Sequence, residues 1–417
     1  MSYRRRLTVL LLGVLLLLSG LSVTGASARS KPTWVGTWAS VPTATPASGT
    51  RTVTDVTVRQ VVHASAGGDQ VRLRLTNEFG STPLRVGEVR VALRAGTGTD
   101  IDPRTDRAVR FGGQRSVTVA AGAPIISDAV PLRVPAYADL VVSIHLPERT
   151  TVSTVHGFAY QRNALAAGNV TGDRSVTPAE TLTQWWFLSG VSVLSPQPRG
   201  AVVALGDSIT NGAESTVGAN RRYPDLLAQR LRRTGVLNLG VAGNRLLHDP
   251  NPPVGHPAES YAAYFGQSAL RRFDRDVLGQ PGVEHVIVLL GVNDLGHPGT
   301  SAPVSETVSA EEIIAAHHQL ITRAHQAGLK IHGGTILPFK GDTLGFWSQE
   351  NESKRAEVNH WIRTSAPYDS VIDFDTALRD PADPLRLHPR YDSGDHLHPN
   401  DAGMAALAAT VPTHAFR

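Results

Sequence analysis

Residues 201–210 read AVVALGDSIT. The first five are apolar and lead directly into a Gly-Asp-Ser turn, a pattern typical of a buried strand that ends at a loop. The carboxyl ends of such strands form the edge at which open α/β sheets bind their ligands. The stretch therefore predicts an α/β fold with Ser208 at its functional edge.

The chain that follows continues to alternate between strand and helix patterns. Strands are predicted at residues 236–241, 285–290, 330–337 and 371–374, and helices at 223–233, 310–327, 353–365 and from about Asn400 onward. This alternation is typical of a parallel sheet with helices on both faces. We predict a flavodoxin-like three-layer domain over residues 200–417.

The preceding part of the chain has a different pattern. Short alternating or apolar runs occupy residues 56–62, 70–76, 88–93 and 139–146, separated by Gly, Pro and Asp. Short strands at this spacing predict a β-sandwich or jelly-roll domain over residues 31–195. The stretch SPQPRG at 195–200 is the predicted linker, because proline breaks both regular structures.

Five aromatic residues flank this β-rich part: Trp34, Trp38, Trp185, Trp186 and Phe187. Large aromatic side chains most often serve packing, so we expect them to bury the seam between the two domains. The alternative interpretation is that they stack on sugar rings.

Residues 1–28 are predicted to be a secretory signal peptide. Three arginines, Arg4, Arg5 and Arg6, precede an apolar run from residue 7 to about 18, and residues 26–28 (ASA) supply a small-residue cleavage site. The apolar run is shorter than the roughly 20 residues that cross a bilayer. We therefore expect a secreted, extracellular protein with no integral membrane span after cleavage, exported by either the Sec or the twin-arginine route.

Net charge and cysteine content bear on the possible partners of the protein and on the source of its stability. Removal of the signal peptide takes three of the 40 basic residues and none of the 36 acidic ones, which leaves 37 against 36. This balance gives no support for a nucleic-acid partner. The chain has no cysteine, so its stability has to come from apolar cores without disulfide bonds.

Four short blocks that carry chemistry occur in order along the C-terminal part. They are residues 206–210 (GDSIT), 243–244 (GN), 291–294 (GVND) and 395–399 (DHLHP). Together they contain a hydroxyl nucleophile, groups able to bind an oxyanion, and an imidazole with a carboxylate three positions before it. A serine needs such a base, and the base needs such an acid, to act as a nucleophile near neutral pH.

The ordered set resembles the SGNH (GDSL) hydrolase family over roughly residues 200–417. The resemblance implies that Ser208 is the nucleophile, His398 the general base and Asp395 the acid that orients it. It also implies an oxyanion hole made by the backbone N–H groups of Ser208 and Gly243 and the side-chain amide of Asn293.

Two positions next to these blocks have alternative or unassigned roles. Gly240 precedes Gly243 in the stretch 238–244 (NLGVAGN) and is the alternative oxyanion glycine. Asn211 follows Thr210 where relatives often carry an acid, and the sequence assigns it no role.

The resulting hypothesis is a secreted serine esterase without a cofactor that works through an acyl-enzyme intermediate. Its expected partner is a small-molecule, lipid or carbohydrate ester; the sequence specifies neither acyl length, alcohol group nor oligomeric state.

Two other classes remain open. The β-rich part would bind a glycan if the second domain were an inactive scaffold. A metal-dependent hydrolase is the other alternative, with ligands drawn from Asp392, Asp395, His396 and His398. No further cluster with ligand spacing occurs, so we predict no metal site.

Overall fold

The computed structural model describes residues 32–196 and 199–416. The predicted signal peptide and two linker positions, 197 and 198, lie outside these described residues. Among the helices that are described, none is both long and apolar enough to cross a membrane. Residues Lys31–Arg417 form one compact unit.

The N-terminal half, residues 32–196, consists of short strands. They are β1 (Thr33–Ala39), β2 (Thr43–Ala44), β3 (Arg51–Val53), β4 (Val56–His63), β5 (Gly68–Thr76), β6 (Leu84–Val86), β7 (Glu88–Leu93), β8 (Arg107–Val109), β9 (Val117–Val119), β10 (Pro124–Ile126), β11 (Val130–Val134), β12 (Asp139–Leu146), β13 (Thr150–Val152), β14 (Thr154–His156), β15 (Asn163–Ala167), β16 (Glu180–Leu182), β17 (Trp185–Trp186) and β18 (Leu188–Ser195).

Two antiparallel sheets dominate this half. One has the order β1-β18-β5-β10, with β11 also paired to β5, and the other has the order β16-β15-β4-β12-β7-β8. In β5, Val71, Leu73 and Leu75 are buried while the arginines between them are partly exposed, as alternation along a strand requires. These residues share one apolar core with Leu140 and Val142 of β12 in the other sheet. The predicted antiparallel sandwich is confirmed.

The C-terminal half, residues 199–416, contains a five-stranded parallel sheet. Its strands are β19 (Ala201–Gly206), β20 (Gly235–Gly240), β21 (Val283–Leu289), β22 (Lys330–Gly334) and β23 (Ser370–Ile372). Their spatial order is β20-β19-β21-β22-β23, and all neighbours are parallel. This is the flavodoxin-like order 2-1-3-4-5, so the fold-class prediction is confirmed.

Helices follow the strands along the chain. They are α1 (Ser208–Asn211), α2 (Tyr223–Leu231), α3 (Ala269–Phe273), α4 (Val292–Gly296), α5 (Ala310–Gln326), α6 (Gln349–Thr364), α7 (Phe374–Leu378) and α8 (Asp401–Thr410). Short 3₁₀ turns lie at Ala47–Gly49, Pro257–Ser260, Ala262–Phe265, Val304–Glu306 and Thr413–Phe416, and a π-helical turn at Asp274–Leu278.

Both faces of the parallel sheet are covered. Val202 and Ala204 of β19 belong to an apolar cluster shared with α2 and α8. The alternate residues Val203 and Leu205 point to the other face. They belong to a second cluster that contains side chains of α5 and α6 and continues into the core of the N-terminal half. Alternate side chains of β19 are therefore buried on opposite faces of the sheet, which explains why the strand is apolar throughout.

The two halves meet along strand β20, at the edge of the parallel sheet. Gly36 of β1 lies so close that a Cβ atom there would sit 2.8 Å from Leu237 Cδ1. The Gly36 N–H donates to the Pro281 carbonyl at 2.8 Å, and the Val236 N–H donates to Ser65 Oγ at 2.9 Å. Backbone groups of each half therefore find partners in the other.

The flanking aromatic residues lie mostly inside. Trp38, Trp185, Trp186 and Phe187 are buried, and the Trp38 and Trp185 rings meet edge to face at 5.0 Å. Only Trp34 is partly exposed, beneath the Arg72 guanidinium. Buried rings have no free face for a sugar, so this arrangement favours the packing interpretation.

Candidate active site

Ser208 lies at the point where β19 turns into α1. Asp207 caps the helix, with its carboxylate accepting a hydrogen bond from the Ile209 N–H at 2.9 Å. The turn is tight, because a Cβ atom on Gly206 would lie 2.0 Å from Thr210 Oγ1. This geometry presents the serine side chain at the carboxyl edge of the sheet, as the sequence predicts.

The structure brings Ser208, His398 and Asp395 together. Ser208 Oγ lies 2.8 Å from His398 Nε2, and His398 Nδ1 lies 2.5 Å from Asp395 Oδ2. Because an ionised carboxylate only accepts hydrogen bonds, Nδ1 carries the proton that faces Asp395. In the neutral imidazole Nε2 is then free to accept the serine hydroxyl proton.

Asp395 is held by its own turn. Its Oδ1 atom accepts hydrogen bonds from the Leu397 N–H at 2.9 Å, the His398 N–H at 2.8 Å and the Ser393 hydroxyl at 2.9 Å. Burial by itself raises the pKa of this carboxyl, but the hydrogen bond and charge of His398 and the backbone donors outweigh burial and hold the pKa well below its usual range. The acid is therefore ionised beside the imidazole. The sequence analysis gave no role to Ser393.

The predicted oxyanion groups line the same cavity as Ser208 and His398. Gly243 has φ +75°, and a Cβ atom there would lie 2.2 Å from Phe265 Cδ1, so only glycine fits. Asn293 is 3% exposed, and its Nδ2 donates one hydrogen bond to the Asn244 carbonyl at 3.0 Å. An amide nitrogen has two protons, which leaves the second for the cavity.

Gly240, the alternative glycine, has a different task. It ends β20, and its N–H already donates to Asn238 Oδ1 at 3.0 Å. A Cβ atom there would lie 2.2 Å from the Asn211 nitrogen. Gly240 therefore allows close packing against α1, and Gly243 is the glycine that reaches the cavity.

One buried residue behind the site, Arg272, had no predicted role. The Arg272 guanidinium donates to the carbonyl groups of Gly206 and Leu239, both at 3.2 Å, and so joins the ends of β19 and β20. It also donates to Asn244 Oδ1 at 2.9 Å, which positions the carbonyl that holds Asn293. Long-range partners of this kind leave no short-range sequence signal.

The Asp392 to His398 stretch forms two separate pairs. His396 Nδ1 lies 2.5 Å from Asp392 Oδ2, apart from the pair of His398 and Asp395. Across residues 32–196 and 199–416, no group of three or more His, Asp or Glu side chains is arranged to hold a metal ion.

The cavity above Ser208 has a volume of about 390 Å³ and is walled by both halves of the protein. Phe158 and Tyr160 come from the β-rich half, and Phe265 and Phe346 from the other. This wall was not predicted, because a contact between distant segments produces no periodic pattern in the sequence.

Asn211 explains how the wall is held. Its Nδ2 donates to the Phe158 carbonyl at 2.8 Å, and its Oδ1 lies 3.0 Å from His156 Nε2. The Arg222 guanidinium donates to the Ala159 carbonyl at 2.7 Å. The end of the nucleophile helix and the segment 156–160 are thus tied together, which gives a structural use to the position where relatives often carry an acid.

Comparison with known proteins identifies the family of the C-terminal half. The family described as GDSL-like Lipase/Acylhydrolase matches residues 204–406. Among curated proteins, none is similar enough to this chain to count as a match.

Three solved structures illustrate the structural similarity. A lipolytic protein of the G-D-S-L family from Desulfitobacterium hafniense is 21% identical, with 52% of this chain and 99% of that chain covered and a TM-score of 0.37. A catalytic mutant of an acetylxylan esterase from Geobacillus stearothermophilus is 18% identical, with 51% and 92% covered and a TM-score of 0.37. A carbohydrate esterase family 2 enzyme with a carbohydrate-binding domain from Corynascus thermopiles is 12% identical, with 90% and 98% covered and a TM-score of 0.38.

Proposed function

Residues 204–406 form a domain of the GDSL-like lipase/acylhydrolase family, which makes this chain an enzyme of the carboxylic-ester hydrolase type, and from this premise we propose that it cleaves uncharged carboxylic esters through an acyl-enzyme on Ser208. The observation that carries the proposal is the continuous hydrogen-bonded series from Ser208 Oγ through His398 to Asp395.

The series supports the following reaction. Ser208 Oγ attacks the ester carbonyl carbon while His398 Nε2 takes the hydroxyl proton. The tetrahedral intermediate then collapses, the bond to the alcohol oxygen breaks, and His398 returns the proton to the leaving alcohol. Water repeats both steps on the acyl-enzyme and releases the carboxylic acid.

Charge development on the carbonyl oxygen is met by three donors. These are the backbone N–H groups of Ser208 and Gly243 and the second amide proton of Asn293. Each such donor stabilises the intermediate by roughly 3 kcal/mol. Asp395 stabilises the imidazolium that forms during each proton transfer.

The cavity wall supports an uncharged substrate. Its rings and aliphatic side chains favour apolar groups, and its acidic members, Glu214 and Asp395, disfavour anionic ones. Acyl lipids, aryl esters and acetylated carbohydrates all meet this condition. We further propose that the chain is exported and acts outside the cell, on the basis of the signal-like residues 1–28.

Replacement of the nucleophile tests the proposal. We expect Ser208→Ala to abolish hydrolysis of p-nitrophenyl esters and labelling by a fluorophosphonate probe, with an unchanged melting temperature. Ser353→Ala, at an exposed serine of α6, is the matched control and should keep both activities. Wild-type turnover by Ser208→Ala would contradict the proposal, and absence of labelling in the wild type would favour a glycan-binding protein.

A further inference from the structure

His297 and Ser301 are among the polar side chains that line the cavity and that the reaction does not use. His297 is buried, with 4% of its surface exposed. Among the described residues, no hydrogen bond contributes to the environment of the His297 ring nitrogens, and the buried hydroxyl of Ser301 has no hydrogen-bond partner. Burial of such groups without a partner costs free energy.

The two residues belong to one rigid turn. His297 follows α4, and its N–H donates to the Asn293 carbonyl at 3.0 Å. Its own carbonyl accepts hydrogen bonds from the Ser301 N–H at 3.0 Å and the Ala302 N–H at 2.9 Å. The polar pair is therefore fixed relative to Asn293, and through Asn293 to the reacting carbonyl.

Aromatic rings hold the His297 imidazole in place. Its ring centroid lies 5.1 Å from that of Phe265 and 5.5 Å from that of Phe346. Other buried imidazoles of the same half have at least one polar partner: His285 Nδ1 lies 3.1 Å from His332 Nε2, and His317 Nδ1 lies 2.6 Å from the Tyr368 hydroxyl, although His317 Nε2 has no partner among the described residues. His297 differs from them in facing the substrate cavity.

The charge state of His297 defines the group that it suits. Burial, with the positive charge of Arg245, lowers the pKa of His297 to about 3, so the imidazole is neutral at neutral pH. Arg245 itself is paired with Glu306 at 2.7 Å. A neutral imidazole offers one donor and one acceptor, and a hydroxyl group offers the same pair in return.

We propose that His297 and Ser301 bind a free hydroxyl group of the substrate, so that the enzyme prefers esters that carry a hydroxyl near the scissile bond. Such substrates are partial esters of diols and polyols, or esters of hydroxy acids. The inference rests on the proposed function, because it places the hydrolysed bond at Ser208.

The test uses pairs of esters that differ in one group. Monobutyrates of diols and methyl esters of ω-hydroxy acids, each at several chain lengths, are compared with twins in which a methyl ether replaces the hydroxyl. In at least one series we expect the wild type to have a kcat/KM about tenfold higher for the hydroxyl twin, mainly because its KM is lower. A roughly tenfold ratio corresponds to the free energy of one or two hydrogen bonds.

Variants locate the preference. His297→Phe and Ser301→Ala should each bring the ratio between twins toward one, and His297→Gln, which keeps a donor and an acceptor, should retain part of it. His318→Phe is the matched control, because His318 is exposed on α5, and it should keep the wild-type ratio.

The possible failures are distinguishable. Equal rates for both twins in every series, or a preference that persists in His297→Phe and Ser301→Ala, would overturn the inference while the esterase proposal stands. If the wild type hydrolyses no ester, the proposed function fails. Calorimetric titration of Ser208→Ala with the twins then decides the inference alone: about tenfold tighter binding of one hydroxyl twin supports it, and equal affinities in all series refute it.

Discussion

At the scale of single residues, Asn293 offers a direct test of the oxyanion hole. One of its amide protons is used by the Asn244 carbonyl, which fixes the direction of the other. Because the bond to the substrate oxygen strengthens when that oxygen becomes charged, we expect Asn293→Ala to lower kcat about 10²- to 10³-fold with little change in KM. Steady-state kinetics on a p-nitrophenyl ester measures both constants.

The control for this variant is Asn251→Ala, at an exposed asparagine that bonds Glu306, and it should retain wild-type kcat. A rise in KM without a fall in kcat would mean that Asn293 binds the ground state instead.

A chelator separates hydrogen-bond catalysis from metal catalysis. We expect EDTA to leave the wild type active, because His398 is bonded to Asp395 and His396 to Asp392. Loss of activity that zinc or manganese restores, together with a harmless Asn293→Ala change, would replace the serine mechanism by a metal mechanism.

Asp207 makes stability depend on pH. Burial raises its pKa to about 7, although the hydrogen bond from Ile209 opposes this rise. The folded protein therefore holds a proton on Asp207 that the unfolded chain releases near pH 4. Its contribution to stability is complete below pH 4 and is lost as pH rises through 7.

We therefore expect the melting temperature of the wild type to fall between pH 5 and pH 8 by more than that of Asp207→Asn. Asparagine keeps the oxygen that accepts the Ile209 N–H. Asp294, whose pKa burial raises to about 6, is present in both proteins, and its negative charge contributes to the raised pKa of Asp207. Parallel melting curves for the two proteins would show that Asp207 is not the group responsible.

The candidate site was largely predictable at this scale, although the catalytic roles stay predictions until variants are measured. Ser208, Gly243, Asn293, Asp395 and His398 lie on one cavity. The first three follow strands, and the last two lie just before the Asn400 cap of α8, so the pattern around each is local. His297 had no such signal. Its meaning depends on the absence of a polar partner, which only three-dimensional packing reveals.

At the scale of elements, the four-residue helix α1 depends on the segment 156–160. Asn211, its last residue, bonds both Phe158 and His156 across the boundary between the halves. The bond to His156 is buried and the bond to Phe158 is partly buried, so their loss leaves polar atoms without partners.

We expect Asn211→Ala to lower the free energy of unfolding by about 1–3 kcal/mol and to raise KM for esters, since the Phe158 wall is loosened. Chemical denaturation and kinetics on the same preparation measure the two effects. The control is Asn251→Ala again. Unchanged stability and KM would show that the wall does not need this link.

Element boundaries followed the sequence where a cap or a strong period marks them. Helix α8 begins at Asp401, next to its predicted start near Asn400, and β12 occupies the predicted 139–146. The strand predicted over 371–374 is shorter, because Asp373 caps α7 and its carboxylate accepts the Thr376 N–H. Helix α6 begins at Gln349, capped by Ser348, rather than at residue 353. At both positions the polar capping residue, and not the apolar pattern, sets where the element begins or ends.

At the scale of the whole molecule, the predicted division near residues 195–200 coincides with the change from antiparallel strands to the parallel sheet. The sequence predicted two domains, and the apolar core of the β-rich half continues into the face of the sheet that carries α5 and α6. Strand periodicity reports which residues are buried and carries no information on which distant strand covers them. The joint between the halves was therefore beyond sequence reasoning.

Strand β20 depends most on the contacts between the two halves. It lies at the edge of the parallel sheet, and its Val236 N–H is satisfied by Ser65 Oγ from the other half. Leu237 is fully buried, with Gly36 packed against it. An uncovered apolar edge strand pairs readily with other chains.

We therefore expect a chain of residues 199–417 to aggregate or to melt well below the full-length protein, and to lose fluorophosphonate labelling with the Phe158 and Tyr160 wall. Size-exclusion chromatography, thermal melts and labelling measure the three effects. Ser65→Ala in the full-length chain is the graded version: the missing acceptor should cost about 1–3 kcal/mol of unfolding free energy with labelling retained. If the shortened chain were monomeric, melted like the full-length protein and reacted with the probe at the same rate, the β-rich half would be an independent domain, and its contacts with β20 would contribute neither stability nor a working cavity.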